Sequence, residues 1–266
     1  MRRFIAFLLC AVPVFADEFT NSSNALRVQK AVRAGLEVLA ANQQENGAWN
    51  AIIGRKVHNE YRGRFGPHVG VTSLACMSFM AGGSLPGRGR YGEQVERGLD
   101  FVLKYVGSDD GFISGHGSRM YSHAFATLFL SEVYGSTGDA RVQNAHSKAV
   151  ALIAESQNST GAWRYMPGQP DADMCVTVCQ VQALRSARNA GIFVPKGTID
   201  AAIGYVKRSW DARTGGFFYQ IGVPSRVSFA LTAAGLTALY GAGYYEGREI
   251  EGGLRYMIRE WPPHYR

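Results

Sequence analysis

One pattern of apolar and polar positions recurs five times along this chain of 266 residues. In each copy, four positions spaced i, i+4, i+7 and i+11 fall on one stripe of an α-helix, with charged or small residues between them. The copies begin at Val32, Val95, His146, Ile199 and Ile250. Starts that lie 51 to 63 residues apart indicate stacked two-helix units.

A second helix is predicted after each template helix except the last. These second stretches are apolar or small nearly all round, and they cover residues 69–81, 120–134, 174–190 and 226–240. Glycines predict their ends, at Gly82, Gly135, Gly191 and Gly241. Helices that are apolar on all sides lie inside a protein, so the template helices should form an outer layer.

A glycine and an aromatic residue mark the turn between the helices of each unit. Two turns share a longer motif, Gln43-Gln44-Glu45-Asn46-Gly47-Ala48-Trp49 and Gln157-Asn158-Ser159-Thr160-Gly161-Ala162-Trp163. Both resemble the Gln-x3-Gly-x-Trp repeat of the terpenoid (squalene and hopene) cyclases and of the protein prenyltransferase beta subunits. The resemblance implies an all-α fold, an alpha-alpha toroid of about four and a half helical hairpins around a central cavity. In this motif the glutamine can bind backbone groups at its helix end, and the tryptophan can join hairpins.

The predicted toroid is one domain over residues 17–266, with repeats near 24–83, 92–135, 142–191, 197–243 and 248–261. Ahead of it, Arg2 and Arg3 precede an apolar run, and Val14-Phe15-Ala16 fits a signal-peptide cleavage site. We therefore predict a signal peptide over 1–16 and export to the periplasm or the exterior. No later stretch has the apolar length of a transmembrane segment.

Composition and charge narrow the class of partner. A hydrophobic content of 46% suits a sizeable core. Loss of the two signal arginines lowers the formal net charge from +7 to +5 without leaving a Lys/Arg run, which argues against nucleic acid as a partner. Three cysteines remain, and an odd number makes a poor disulfide framework.

In a toroid, the N-terminal ends of the inner helices meet at one rim of the cavity. We therefore predict a site there, formed by His68, Tyr121, His123, Asp171, Asp173, Cys175, Arg226 and Ser228. Free N–H groups at helix N-termini suit an anionic ligand. Asp and Ser in this position are equally ordinary N-caps, and His123, which lies among aromatic residues, fits a general base or a structural histidine.

The segment Asp171-Ala172-Asp173-Met174 resembles the Asp-x-Asp-Asp acid motif of class II terpene cyclases. That resemblance implies that Asp173 donates the proton, with Asp171 beside it. Met174 stands where the motif has its last aspartate, which weakens the network of carboxyl groups that such an acid needs.

The same stretch resembles the zinc motif of prenyltransferase beta subunits, in which Asp173 and Cys175 would be ligands. In that family a histidine from the following hairpin completes the site, but this chain offers Arg226 and Ser228 there. Two protein ligands make an incomplete zinc site. We predict no cofactor and keep zinc on Asp173 and Cys175 as the alternative.

Three functions follow from these features. The first is an exported toroid that binds an apolar or isoprenoid-like ligand in its cavity, with catalysis at Asp171, Asp173 or His123 left open. The second is a noncatalytic interaction scaffold of the cell envelope. The third is a carbohydrate-active alpha-alpha barrel whose cleft is lined by Asp171, Asp173 and Tyr121. An incomplete ring would expose an apolar flank and favour a homodimer or an envelope protein as partner.

Overall fold

The structure of the protein is a computed structural model that describes residues 23–54, 60, 62–115, 117–223 and 226–261. The signal peptide expected over 1–16 lies outside these residues, so it stays a prediction, as does export. The chain divides into two compact units, residues 1–42 and 43–266. The first contains helix α1 (Ser23–Ala41). A single domain over 17–266 also stays a prediction.

The second unit begins with a short hairpin and continues with eight helices in its described residues. The elements are β1 (Asn50–Ile53), β2 (Arg64–Pro67), α2 (Val69–Ala81), α3 (Gly92–Leu103), α4 (Arg119–Thr137), α5 (Ala140–Glu155), α6 (Met174–Asn189), α7 (Lys196–Arg208), α8 (Phe229–Gly241) and α9 (Arg248–Arg259). None of the described helices is long and apolar enough to cross a membrane. The predicted all-α class is confirmed.

The helices of the second unit form two layers, as the sequence pattern predicts. Inner helices α2, α4, α6 and α8 pack against one another in that order, and outer helices α3, α5, α7 and α9 pack on them. Outer helix α3 buries Val95, Leu99 and Val102 of its template stripe and exposes Asp100. Alternating inner and outer helices in this way confirm the alpha-alpha toroid fold.

The glutamine of the turn motif joins its turn to the outer helix that follows. Gln43 Nε2 donates to the carbonyl of Gly47 in its own turn at 3.0 Å and to that of Gln94, in the first turn of α3, at 2.9 Å. Gln157 Nε2 makes the same pair of bonds, to the Gly161 carbonyl and to the Thr198 carbonyl of α7, both at 2.9 Å. In both cases one amide therefore fastens a turn to the start of the following outer helix.

The glycine of each turn lies against the backbone of the following outer helix. Gly47, Gly111, Gly161 and Gly215 all have positive φ, between 71° and 87°. A Cβ on Gly161 would overlap the Ala201 carbonyl oxygen of α7, and a Cβ on Gly47 would overlap that of Arg97 in α3. Only glycine permits both the left-handed conformation and this close approach.

Two local features differ from the sequence prediction. Strands β1 and β2 pair antiparallel, with Asn50 opposite Pro67, where only a turn was expected. Four-residue strands are too short for alternation of apolar and polar residues to reveal them. Helix α4 continues through Gly135 and ends at Gly138, whose φ of 67° supplies the left-handed cap.

We expect Gly161→Ala to destabilise the protein more than Gly168→Ala does. Both glycines have positive φ, so both substitutions carry a conformational cost of about 1–2 kcal/mol. Only Gly161 has no room for a methyl group, since no atom lies within 4 Å of a Cβ on Gly168. The overlap should add at least about 2 kcal/mol, measured as the difference in free energy of unfolding in urea. Equal losses would contradict the close packing of this turn.

Candidate functional site

Three of the predicted rim residues cap inner helices. The side chains of His68, Asp173 and Ser228 each accept a hydrogen bond from the backbone N–H three residues further along, in α2, α6 and α8 respectively. The acceptor distances are 3.3, 2.9 and 3.3 Å. An N-cap of this kind satisfies an N–H group that the helix itself leaves free, so each side chain has a structural task.

Arg164, which the sequence analysis did not single out, connects both predicted carboxylates. It lies in the segment between α5 and α6. Its Nη1 donates to Asp173 Oδ2 at 2.6 Å and to the Tyr219 hydroxyl at 3.1 Å. Its Nε lies 3.0 Å from Asp171 Oδ2. We call these residues, with Tyr121, Tyr165, Cys175 and Arg226, the Arg164 cluster.

Aromatic rings enclose the Arg164 guanidinium. Its Cζ lies 4.3 Å from the ring centroid of Tyr165 and 5.8 Å from that of Tyr219. The hydroxyls of these two tyrosines are 2.7 Å apart and form a hydrogen bond. The ring of Tyr121 lies 6.3 Å from that of Tyr165. Cation–π attraction and the shared hydrogen bonds hold the guanidinium and both phenols in one orientation.

The repeat brings these tyrosines to the rim. Tyr165 and Tyr219 each lie two residues after the buried aromatic residue of their turn. Their carbonyls accept hydrogen bonds from Met120 N of α4 and Met174 N of α6, at 3.0 and 2.9 Å. Each turn is therefore fastened to the first residues of the preceding inner helix, which places the tyrosines beside Tyr121 and Asp173.

Asp173 has no exposed surface. Burial raises the pKa of its carboxyl more than the Val176 N–H and Arg164 lower it. Burial lowers the pKa of Arg164, but the charge and hydrogen bond of Asp173 together with Tyr165 and Tyr219 raise it by more, so the guanidinium stays charged. Both oxygens of Asp173 are engaged, one by the helix and one by Arg164. Its carboxylate therefore orients Arg164 and has no surface to offer a substrate.

The remaining cluster residues surround this ion pair. Burial, and then the charge of Asp173, raise the pKa of the Tyr121 hydroxyl well above its ordinary value. Burial, and then the charge of Asp173, likewise raise the pKa of the Cys175 thiol. Both groups are thus neutral near pH 7. The guanidinium of Arg226 lies 5.9 Å from the Tyr219 ring centroid.

Five of the predicted site residues therefore meet around Arg164, namely Tyr121, Asp171, Asp173, Cys175 and Arg226. Ser228 caps α8 two residues beyond Arg226. His68 caps α2 and, within the described residues, has no hydrogen bond or ion pair with the cluster. No sequence signal marked Arg164 or the two turn tyrosines. Arg164 lies one residue, and each tyrosine two residues, after the aromatic residue of its turn, so an alignment of the repeats could have found them.

The zinc alternative does not fit this geometry. Asp173 already uses both oxygens, one for the Val176 N–H and one for Arg164. Across the part of the chain that the structure describes, no three His, Cys, Asp or Glu side chains are grouped so as to hold a metal ion. A protein zinc site needs three or four such ligands.

His123 occupies a structural position of the repeat. In the other three turns, the N–H of the buried aromatic residue donates to a threonine hydroxyl of the inner helix. Here Ile113 N donates to His123 Nδ1 at 3.1 Å, and Nε2 donates to the Ala149 carbonyl at 3.1 Å. Both ring nitrogens are engaged with backbone, so we leave His123 out of the proposed site.

We expect Arg164→Met to lower the free energy of unfolding by about 3–5 kcal/mol, because Asp173 then keeps a buried charge without a partner. Adding Asp173→Asn, which keeps the cap oxygen and removes the charge, should restore at least half of the loss. Arg255→Met serves as the control, since Arg255 forms an exposed pair with Glu251. Urea denaturation measures all three variants. A loss no larger than in the control would contradict the buried pair.

We expect acid to destabilise the protein between pH 6.5 and 4, in part through His123. Burial lowers the pKa of His123 to about 4, so in this range the unfolded state binds more protons than the native state. Stability is then lost as the pH falls, by an amount on the order of 3 kcal/mol for this residue. His146, whose pKa burial also lowers to about 4, acts in the same direction.

His123→Thr, which places in this repeat the residue found in the other three, should flatten the dependence of stability on pH. The unfolding free energy at pH 7.5, 6, 5 and 4.5 measures the slope. The variant loses the bond to the Ala149 carbonyl and should be less stable at pH 7.5, but its slope should be about half that of the parent. An unchanged slope would mean that His123 binds protons equally in the native and unfolded states, which would contradict its lowered pKa.

A surface groove of about 350 Å³ lies away from the Arg164 cluster. Its lining comes from the C-terminal halves of α2 and α4 and the segment that follows α2, and it comprises Met77, Met80, Ala81, Leu85, Leu128, Glu132 and Ser136. The cluster lies at the N-terminal ends of the inner helices. The groove and the polar site are therefore at opposite ends of these helices.

Solved structures with this architecture give the comparison. Cellobiose 2-epimerase from Bacillus thermoamylovorans superposes with a TM-score of 0.63 and 12% identity, over 87% of this chain and 72% of that one. An inactive variant of the α-1,6-mannanase of Salegentibacter sp. HEL1_6, in complex with α-1,6-mannotriose, gives 0.61 and 10%, over 88% and 70%. A protein from Actinoplanes gives 0.56 and 17%, over 92% and 69%. No protein-family model and no curated protein sequence matches the chain.

At these identities the likeness shows the fold alone, the alpha-alpha toroid. The similar structures named for an activity are carbohydrate-active enzymes, not terpenoid cyclases or prenyltransferases. The predicted apolar or isoprenoid-like ligand is therefore wrong. Without such a ligand, Asp173 has no alkene to protonate, and its carboxylate is fully buried and ion-paired.

Proposed function

We propose that this protein is a carbohydrate-active alpha-alpha toroid whose saccharide site is the Arg164 cluster. The observation that carries the proposal is the position of Tyr165 and Tyr219 around an arginine that two aspartates orient. Among structures with this architecture, one is a cellobiose 2-epimerase and another is a mannanase variant in complex with α-1,6-mannotriose. This is the third of the functions that the sequence suggested.

The chemistry of the cluster suits a sugar. One face of a pyranose ring presents mainly C–H groups, which pack on aromatic rings, and its edge presents hydroxyls that donate and accept hydrogen bonds. Tyr165 and Tyr219 are partly exposed and rigidly held, which supplies contact area at little entropic cost. Asp171, with 48% of its side chain exposed, supplies a charged acceptor for hydroxyls.

The two aspartates have different roles in this proposal. Hydrolysis of a glycosidic bond ordinarily uses two carboxyl groups that both face the scissile bond. Of the two carboxylates in the Arg164 cluster only that of Asp171 is exposed, because Asp173 is buried and paired with Arg164. The geometry therefore supports saccharide binding with one carboxylate at hand. Export, which the signal-like N-terminus suggests, would give the protein access to envelope or extracellular polysaccharides.

A scaffold function remains the second candidate because of the last helix. On and just beyond α9, Leu254, Ile258 and Trp261 are 43%, 74% and 45% exposed. Leu254 and Trp261 belong to the template stripe, and their counterparts, Ile203 in α7 and Trp210 just beyond it, are better covered. An exposed stripe of this kind suits a second copy or an envelope protein. We keep the homodimer as a proposal that the mass of the protein in solution tests.

Binding of oligosaccharides to the purified full chain tests the proposed function. Isothermal titration against neutral and acidic tri- and tetrasaccharides should reveal at least one ligand. Tyr165→Ala should weaken its binding at least roughly tenfold, because the stacking surface is lost. Tyr245→Ala, which removes a tyrosine 61% exposed in the segment between α8 and α9, is the matched control and should bind normally.

Thermal unfolding of each variant separates loss of binding from loss of folding. Absence of binding across the whole panel, or an equal loss in the control, would exclude the Arg164 cluster as a saccharide site.

A further inference from the structure

Arg226 differs from the other arginine of the cluster in having no carboxylate partner. Arg164 is shared by Asp171 and Asp173, so its charge is already compensated. The Arg226 side chain is exposed, and among the described residues no carboxylate oxygen lies within 4 Å of it. Its guanidinium therefore keeps its hydrogen-bond donors for a ligand.

The position of Arg226 places these donors beside the stacking surface. Arg226 and Arg164 have their Cζ atoms 5.9 and 5.8 Å from the centroid of the Tyr219 ring. The carbonyl of Arg226 accepts a hydrogen bond from Tyr219 N at 3.1 Å, which fixes the backbone of Arg226 at this ring. Across the cluster, the polar groups follow the order Asp171, Arg164, Tyr219, Arg226.

We infer that the site selects a hexuronic acid, a sugar with a carboxylate on C5, and that Arg226 binds this carboxylate. The inference rests on the proposed function and names its substrate class. A hexuronic acid carries its carboxylate on one edge of the ring and hydroxyls on the opposite edge. With the ring face on Tyr219, the carboxylate meets Arg226 while hydroxyls reach Asp171. Bidentate pairing of guanidinium and carboxylate gives this contact strength and direction.

The other charges of the cluster support the same orientation. Asp171 and Asp173 would repel a carboxylate, and both are bound to Arg164, whereas Arg226 lies beside the Tyr219 ring without a carboxylate partner. A reversed sugar would bring two exposed carboxylates together and leave Arg226 without a partner, which disfavours that pose. A neutral hexose would gain the stacking and the hydroxyl contacts but would leave Arg226 unused.

Paired ligands test the inference on the full chain. The probes are tetrasaccharides of galacturonate, of mannuronate and guluronate, and of hyaluronan, each beside its methyl ester, which lacks the charge. We expect at least one acidic probe to bind at least tenfold more tightly than its ester. Arg226→Gln should reduce binding of the acid to the level of the ester and leave the ester unchanged.

Arg213→Gln is the control, because it removes the same charge from an exposed arginine outside the cluster. Equal losses in the two variants would overturn the inference in favour of general charge attraction. Equal binding of acid and ester would overturn it while the proposed function stands. Binding of neutral saccharides alone would also overturn the inference and leave the proposed function standing. If no saccharide binds, both the inference and the proposed function are excluded.

Discussion

The second unit depends on backbone packing between one turn and the next outer helix. At Gly47 and Gly161 the chain approaches the following helix so closely that no side chain fits between them. The amide of Gln43 or Gln157 then joins two carbonyls across that contact. Because the contact involves backbone atoms, its geometry is the same whatever side chains the outer helices carry. Inner helices can therefore vary in sequence while their ends stay in register.

This register creates the candidate site. The same bond, from the backbone N–H of a buried turn residue to the inner helix, recurs from Trp49, Trp163 and Phe217 to a threonine, and Ile113 donates to His123 in its place. What differs is the residue pair that follows this buried turn residue. It is Asn-Ala in the first turn, Ser-Gly in the second, Arg-Tyr in the third and Phe-Tyr in the fourth. A uniform scaffold thus carries a polar cluster only where the third and fourth turns meet.

The aspartate motif shows how a short match can mislead. Asp171 and Asp173 suggested an acid that protonates an alkene, because their spacing matches part of the Asp-x-Asp-Asp motif of the class II terpene cyclases. In the structure, the helix and Arg164 use both oxygens of Asp173, and Asp171 is the exposed member of the pair. The spacing of carboxylates does not reveal which of them faces solvent. In this protein the difference between the two aspartates depends on Arg164, nine residues before Asp173, which pairs with the buried carboxylate.

The sequence by itself determined the architecture. Apolar stripes at helical spacing and turns with glycine and an aromatic residue are local patterns, and they predicted the two layers and the positions of Tyr121, Asp173, Cys175 and Arg226 at one rim. The tertiary structure alone showed that Arg164 centres this rim, that Tyr165 and Tyr219 bond across 54 residues, and that His123 is structural. Such contacts depend on how far one turn lies from the next in space, and the helical period carries no information on that distance.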